Sequence, residues 1–276
     1  MNQTLRRLAI LLALLALGAC ATPPAPATGS THAPPAPRRT QDGGAPTANV
    51  SPQRPTLSSD TNVAADGTVE LETGVAWDPH DVLDVPISLR FGVAPETEAF
   101  LNISPLSITR LPGKDAHGFS DPEIGVRRRL SHDPDGVSTA VQASVKLPVS
   151  DRDEGLSTGE ADAYVAGIVS GSAGPVSLLG YYRLGALGER RGGVDVEHAA
   201  AFNAGLGLTD RLGCYAELAG QFVPEQDLHS VFLIAGMNYV LDNGSVLDWG
   251  VQTGLSEDAP HSRALVGWTV NLGRWK

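Results

Sequence analysis

The chain has 276 residues, with 20 Lys+Arg against 31 Asp+Glu and 42% apolar residues. A net charge of -11 excludes a nucleic-acid partner, which would need clustered Lys and Arg against backbone phosphates. Two Cys cannot supply a disulfide framework or a Cys-rich zinc site, and the apolar content excludes a chain that is disordered throughout.

Taken in chain order, the first element is a leader. Arg6 and Arg7 precede an uninterrupted apolar run over residues 8–17. That run is shorter than the roughly 20 residues a membrane-spanning helix needs, but it suits a signal-peptide core. It ends in Leu17-Gly18-Ala19-Cys20, which resembles a bacterial lipobox. The expectation is a signal peptide over residues 1–19 and a lipid anchor on Cys20, with Ala21 resembling the residue that permits export to the outer membrane. Acylation of Cys20 would leave no intrachain disulfide, so Cys214 reads as a small apolar filler on a strand.

Residues 20–59 are expected to form the lipidated Cys and a disordered tether. Nine of the 20 prolines fall within residues 21–58, interleaved with Ala, Thr and Gly, and such a segment buries too little surface to fold. The folded domain is then 60–276, where 15 Lys+Arg face 30 Asp+Glu.

From Thr68 onward the dominant signal is alternation with period two, the mark of strands with unlike faces. In the first such segment Val69, Leu71, Thr73, Val75 and Trp77 oppose Glu70, Glu72, Gly74 and Ala76. About twelve segments follow this rule: 68–78, 86–93, 98–104, 122–130, 137–148, 162–170, 175–184, 197–208, 211–222, 230–241, 245–255 and 263–272. Most approach the 9–11 residues of a tilted membrane-spanning strand.

The connections alternate between long (105–121, 149–161) and short (209–210, 242–244), with both termini on the short side. This parity predicts an all-β, up-and-down antiparallel outer-membrane barrel of about 12 strands. Its apolar face would meet lipid. Its polar face would line a lumen with Glu70, Glu72, Arg90, Arg127, Arg129, Lys146, Arg183, Glu217 and Asp248. Arg128 would then point outward, and its place near a strand end predicts an interfacial position, where a lipid-facing Arg costs only about 0–1 kcal/mol. Trp77, Tyr164, Tyr182, Phe202, Phe222, Trp249 and Trp268 are the candidates for interfacial aromatic girdles.

Val145-Lys146-Leu147-Pro148, the acidic stretch from Asp151 to Gly159, Gly207-Leu208-Thr209-Asp210-Arg211-Leu212 and Leu255-Ser256-Glu257-Asp258-Ala259-Pro260 together carry a resemblance. Over residues 66–272 the chain resembles the transporter-like outer-membrane proteins grouped under the meta-pathway of phenol degradation. The resemblance implies a barrel that passes small, often hydrophobic or aromatic, compounds.

Catalytic motifs do not survive their context. Gly155-Leu156-Ser157-Thr158-Gly159 matches G-x-S-x-G but lies in a polar loop, without the strand and helix of a nucleophile elbow. His229 and Ser230 are adjacent on a strand and should face opposite ways. The seven His lack paired metal-ligand spacing. The reading is a non-enzymatic, lipid-anchored outer-membrane channel without cofactor or metal, partnered by lipid and a small-molecule permeant. A second reading is a peripheral periplasmic β-barrel lipoprotein that binds a ligand or supports the envelope.

Overall fold

The computed structural model describes residues 48–78, 82–111, 114–133, 136–150, 156–189 and 192–276. The expected signal peptide, Cys20 and the first part of the tether lie outside the described residues. Thirteen strands follow in sequence. They are β1 (Thr68–Asp78), β2 (Val82–Ala94), β3 (Thr97–Leu111), β4 (Lys114–Gly118), β5 (Glu123–Ser131), β6 (Ser138–Lys146), β7 (Asp162–Ala173), β8 (Val176–Gly188), β9 (Val194–Gly207), β10 (Leu212–Val223), β11 (Leu228–Val240), β12 (Val246–Gly254) and β13 (Ser262–Arg274).

Neighbouring strands pair antiparallel in a ring closed by β1 on β13. Strands β4 and β5 share one position in it: β3 pairs with β5 over Thr97–Asn102 and with β4 over Ser107–Leu111. The result is a closed 12-stranded barrel, which leaves no unpaired edge for the ladder hydrogen bonds.

The sequence pattern missed one device. Strands β2 and β3 run past Pro86 and Pro105, where the sequence suggested that strands begin and end. A bulge between Val85 and Ile87 absorbs both prolines, because each lacks the N–H that a regular ladder would require there. The expected 105–121 loop is thus partly strand, folded back as the β3–β4 hairpin.

The side-chain alternation follows the expected faces. Val75, Val141, Val165, Leu218, Val251 and Val266 are exposed on the outer wall, while Glu72, Arg90, Glu98, Glu217 and Asp248 are buried inside. This arrangement inverts that of a soluble protein. Arg128 is exposed and pairs in register with Thr97, beside the β2–β3 turn, so it sits at the end of its strand. Tyr164 departs from the girdle expectation. The alternation that points Val165 outward turns Tyr164 into the lumen, beneath the Arg183 guanidinium 4.5 Å from its ring centroid.

The end of the barrel that holds both chain termini carries the connections 95–96, 132–137, 174–175, 208–211 and 241–245. At the other end, the 147–161 connection is held by Asp121, which accepts hydrogen bonds from Val149 N–H (3.0 Å), Ser150 N–H (2.9 Å) and Ser157 Oγ (2.6 Å). Ser157 also accepts from Gly159 N–H, so its hydroxyl is engaged in building the loop. Ser230 is buried while His229 is exposed, as their adjacent strand positions require.

Candidate functional site

The tether expectation is overturned over residues 48–59. Instead of staying solvated outside the barrel, the chain from Ala48 to Asp66 enters the lumen at the terminal end, bends inside, and returns to begin β1. The physical reason is hydrogen bonding. A Pro-rich segment cannot bury its own polar groups, but the barrel wall supplies partners for them.

The entry is fixed by Asn49 N–H on Gly244 O (2.9 Å) at the β11–β12 turn. Three buried carboxylates then grip the main chain. Glu72 on β1 accepts from Gln53 N–H (3.0 Å) and Arg54 N–H (2.6 Å). Glu217 on β10 accepts from Leu57 N–H (2.7 Å), from the Ser58 hydroxyl and from Asn203 Nδ2 (3.5 Å). Glu98 on β3 accepts from Ala64 N–H (2.6 Å). Charge-assisted bonds of this kind are about twice as strong as neutral ones.

Two buried guanidiniums tie the carboxylates to the segment. Arg90 on β2 donates to Glu70 (2.6 Å) and to Ser51 O (2.6 Å), and lies 3.9 Å from Glu98. Arg127 on β5 lies 3.4 Å from Glu98 and donates to Gln142 (3.1 Å), Gln53 Oε1 (2.8 Å) and Asn62 O (3.3 Å). Asp60 staples the segment internally, accepting from Ser51 Oγ (2.7 Å), Gln53 Nε2 (2.8 Å) and Asn62 N–H (2.8 Å). Thr61 shares a hydrogen bond with Ser170 of β7 (2.7 Å). Leu57 packs beside a lumenal apolar layer that includes Ala219, Phe232, Ile234 and Leu265.

The nine expected lumen residues separate into three groups. Glu70, Glu72, Arg90, Arg127, Glu217 and Asp248 are buried at the level of the inserted segment. Lys146 and Arg183 lie nearer the loop end, each with a carboxylate partner: Lys146 with Asp162, and Arg183 with Glu197 at 2.8 Å. Arg129 sits at the terminal rim and bonds Glu96 of the β2–β3 turn. That hydrogen bond holds the Glu96 carboxyl below the usual range.

Sequence reasoning missed Glu98, Ser170, Asn203 and Tyr215 as lumenal partners, and it missed the segment itself. One signal was available. After Pro55 the composition changes from Pro/Ala to Thr, Ser, Asp and Asn, side chains that satisfy backbone groups in compact turns.

Two cavities flank the segment. One, of about 310 Å³, lies toward the loop end and is lined by Phe100, Glu123, Lys146, Tyr164, Tyr181 and Arg183 among others. The other, of about 450 Å³, lies toward the terminal end and is lined by Ser170, Asn203, Tyr215, Asn238 and Asp248 among others. Arg54 and Thr56 line both, so the segment is the partition between them. At its level the six carboxylates Glu70, Glu72, Glu98, Glu217, Asp248 and Asp60 face three guanidiniums, Arg54, Arg90 and Arg127. Cys20 lies outside the described residues. On β10 the alternation that turns Tyr215 and Glu217 inward points Cys214 to the outer wall.

No protein-family model and no curated protein sequence matches the chain. Among solved structures, the COG4313 outer membrane channel from Pseudomonas putida F1 superposes with a TM-score of 0.64 at 9% identity, over 79% of this chain and 100% of that one. The NanC porin superposes with a TM-score of 0.50 at 8% identity, over 73% of this chain and 97% of its own. At these identities the likeness is one of architecture, and the chain has the fold of outer-membrane β-barrels.

Proposed function

We propose that the protein is an outer-membrane channel for small molecules, anchored through Cys20 and partitioned by residues 48–66, which enter from its periplasmic end. One observation carries this reading: a closed barrel with an apolar outside and a charged inside encloses two cavities separated by a single inserted segment. The terminal end faces the periplasm by the rule that short turns and both termini share that side. A peripheral lipoprotein would leave the outer band of Val, Leu and Trp side chains in water, an exposed apolar surface of a kind that soluble proteins rarely carry.

Small hydrophobic or aromatic permeants fit the resemblance to the phenol-degradation group. Phe100, Tyr164 and Tyr181 around the outer cavity offer faces for such compounds to stack on. The carboxylate surplus beside the segment favours cations over anions among charged solutes.

The detergent-extracted protein is expected to migrate faster on a gel when unboiled and to give discrete, cation-preferring conductance steps in a planar bilayer. A single unshifted band with no conductance overturns the channel reading. The anchor has its own test. Mass spectrometry of the mature protein should find an acylated Cys20 as its N-terminal residue. An unmodified Cys20 overturns the anchor and leaves the channel reading standing.

A further inference from the structure

Asp248 is a buried carboxylate whose two oxygens accept no hydrogen bond from the protein. It lines the 450 Å³ cavity with Tyr215, whose hydroxyl is likewise buried without a partner, and with Arg54, whose Nη1 is also unpartnered. Three orphaned polar groups around one cavity are unusual, because a buried group without a partner costs about 1–3 kcal/mol, and more if charged. Glu72 and Arg54 are the charged groups close enough to act on Asp248.

The wall beneath these groups is built of glycines. Gly74 and Gly267 are paired across β1 and β13, and Gly236 and Gly250 across β11 and β12. Tyr215 pairs with Gly236, and Asp248 with Gly267. A methyl group on Gly267 would run into the Asp248 carboxylate, and one on Gly236 would run into the Tyr215 hydroxyl. One on Gly74 would lie 2.6 Å from Arg54 Nη1. The four glycines thus leave room for the Asp248 carboxylate, the Tyr215 hydroxyl and the Arg54 guanidinium to lie close against the barrel wall.

From this geometry we infer that Tyr215 and Asp248, beside the 450 Å³ cavity, form a binding site for the guanidinium group of a small permeant, and that Arg54 of the inserted segment is its built-in competitor. A guanidinium suits the site on two counts: it is charged, and it presents several donors to a carboxylate in a fixed fork. An incoming guanidinium would displace Arg54, supply the donors Asp248 lacks, and loosen the segment from the wall. The cavity is of the size that holds a small ligand. Because it names a permeant class, the inference rests on the channel reading.

The test is calorimetric titration of the full chain in detergent with agmatine, and with putrescine as the cation lacking a guanidinium. A tethered competitor acts at millimolar effective concentration, so Arg54→Ala should bind agmatine at least about tenfold more tightly than the parent chain. Adding Asp248→Asn, nearly isosteric, should abolish that gain while the heat-modifiable band shows the barrel intact. The inference is overturned if Arg54→Ala binds no more tightly, if Asp248→Asn leaves binding unchanged, or if putrescine binds as well as agmatine. Agmatine binding without any bilayer conductance would count against the channel reading alone. Conductance without agmatine binding would count against this site alone.

Discussion

Deleting residues 49–63 is expected to raise single-channel conductance several-fold while leaving the barrel closed and heat-modifiable. The ladders that close the ring, from β1–β13 round to β2–β3, use none of these residues. What the segment contributes is the partition: its main chain spans from Gly244 through Glu72 and Glu217 to Glu98, on four different strands or turns. Its removal joins the two cavities and admits water to the carboxylates it had occupied. Wall charges alone still leave Glu70, Glu72, Glu98, Glu217 and Asp248 against Arg90 and Arg127, so the enlarged pore should keep a cation preference. Residues 64–67 are best retained, because Thr68 N–H bonds Ala65 O (2.9 Å) and Gly67, at φ 78, turns the chain into β1. Unchanged conductance in a barrel shown to be folded would mean that solutes pass by another route, and that the segment is no partition.

Replacing Arg90 with Met is expected to cost about 3–5 kcal/mol, the largest single-residue effect in the protein. Its side chain is 1% exposed, and it stands between Glu70 and Glu98, themselves 5% and 0% exposed. Without the guanidinium both carboxylates remain buried with their compensation reduced to Arg127, which reaches Glu98. Met preserves most of the volume, so the loss reports charge rather than a cavity. A double substitution, Arg90→Met with Glu70→Gln, should recover a sizeable part of it, because the uncompensated charge disappears with its partner. Urea unfolding of the refolded barrel in detergent measures both. A loss below about 1 kcal/mol for Arg90→Met would place this pair among the solvent-screened ion pairs and would remove the network as a stabilising element.

Much of the barrel was legible in the sequence. The alternation of Glu70, Glu72, Gly74 and Ala76 with Val69, Leu71, Thr73 and Val75 fixes which face of β1 points inward, because successive side chains of a strand must point to opposite sides. The same reasoning separates Ser138, Ala140, Gln142 and Ser144 from Val141, Ala143 and Val145 on β6, and the structure keeps both sets on their expected faces. The spacing of turns and loops likewise sets the side on which both termini emerge. Alternation reaches its limit at Pro86 and Pro105. A proline reads as a break, and only the opposed bulge in the partner strand shows how the ladder continues past it.

The inserted segment lies beyond that limit altogether. Its sequence, rich in Pro and small polar residues, specifies no regular structure and by itself reads as a solvated linker. The partners that hold it are distant in the chain: Leu57 meets Glu217, 160 residues away, and Arg127 meets Gln53, 74 residues away. Each strand's face is a local property, carried by the period of its side chains, and the sequence alone determined it. Where a polar segment without a period comes to rest depends on which donors and acceptors the closed ring gathers in one volume. That was decided only when β1, β3, β5 and β10 brought Glu72, Glu98, Arg127 and Glu217 together around it.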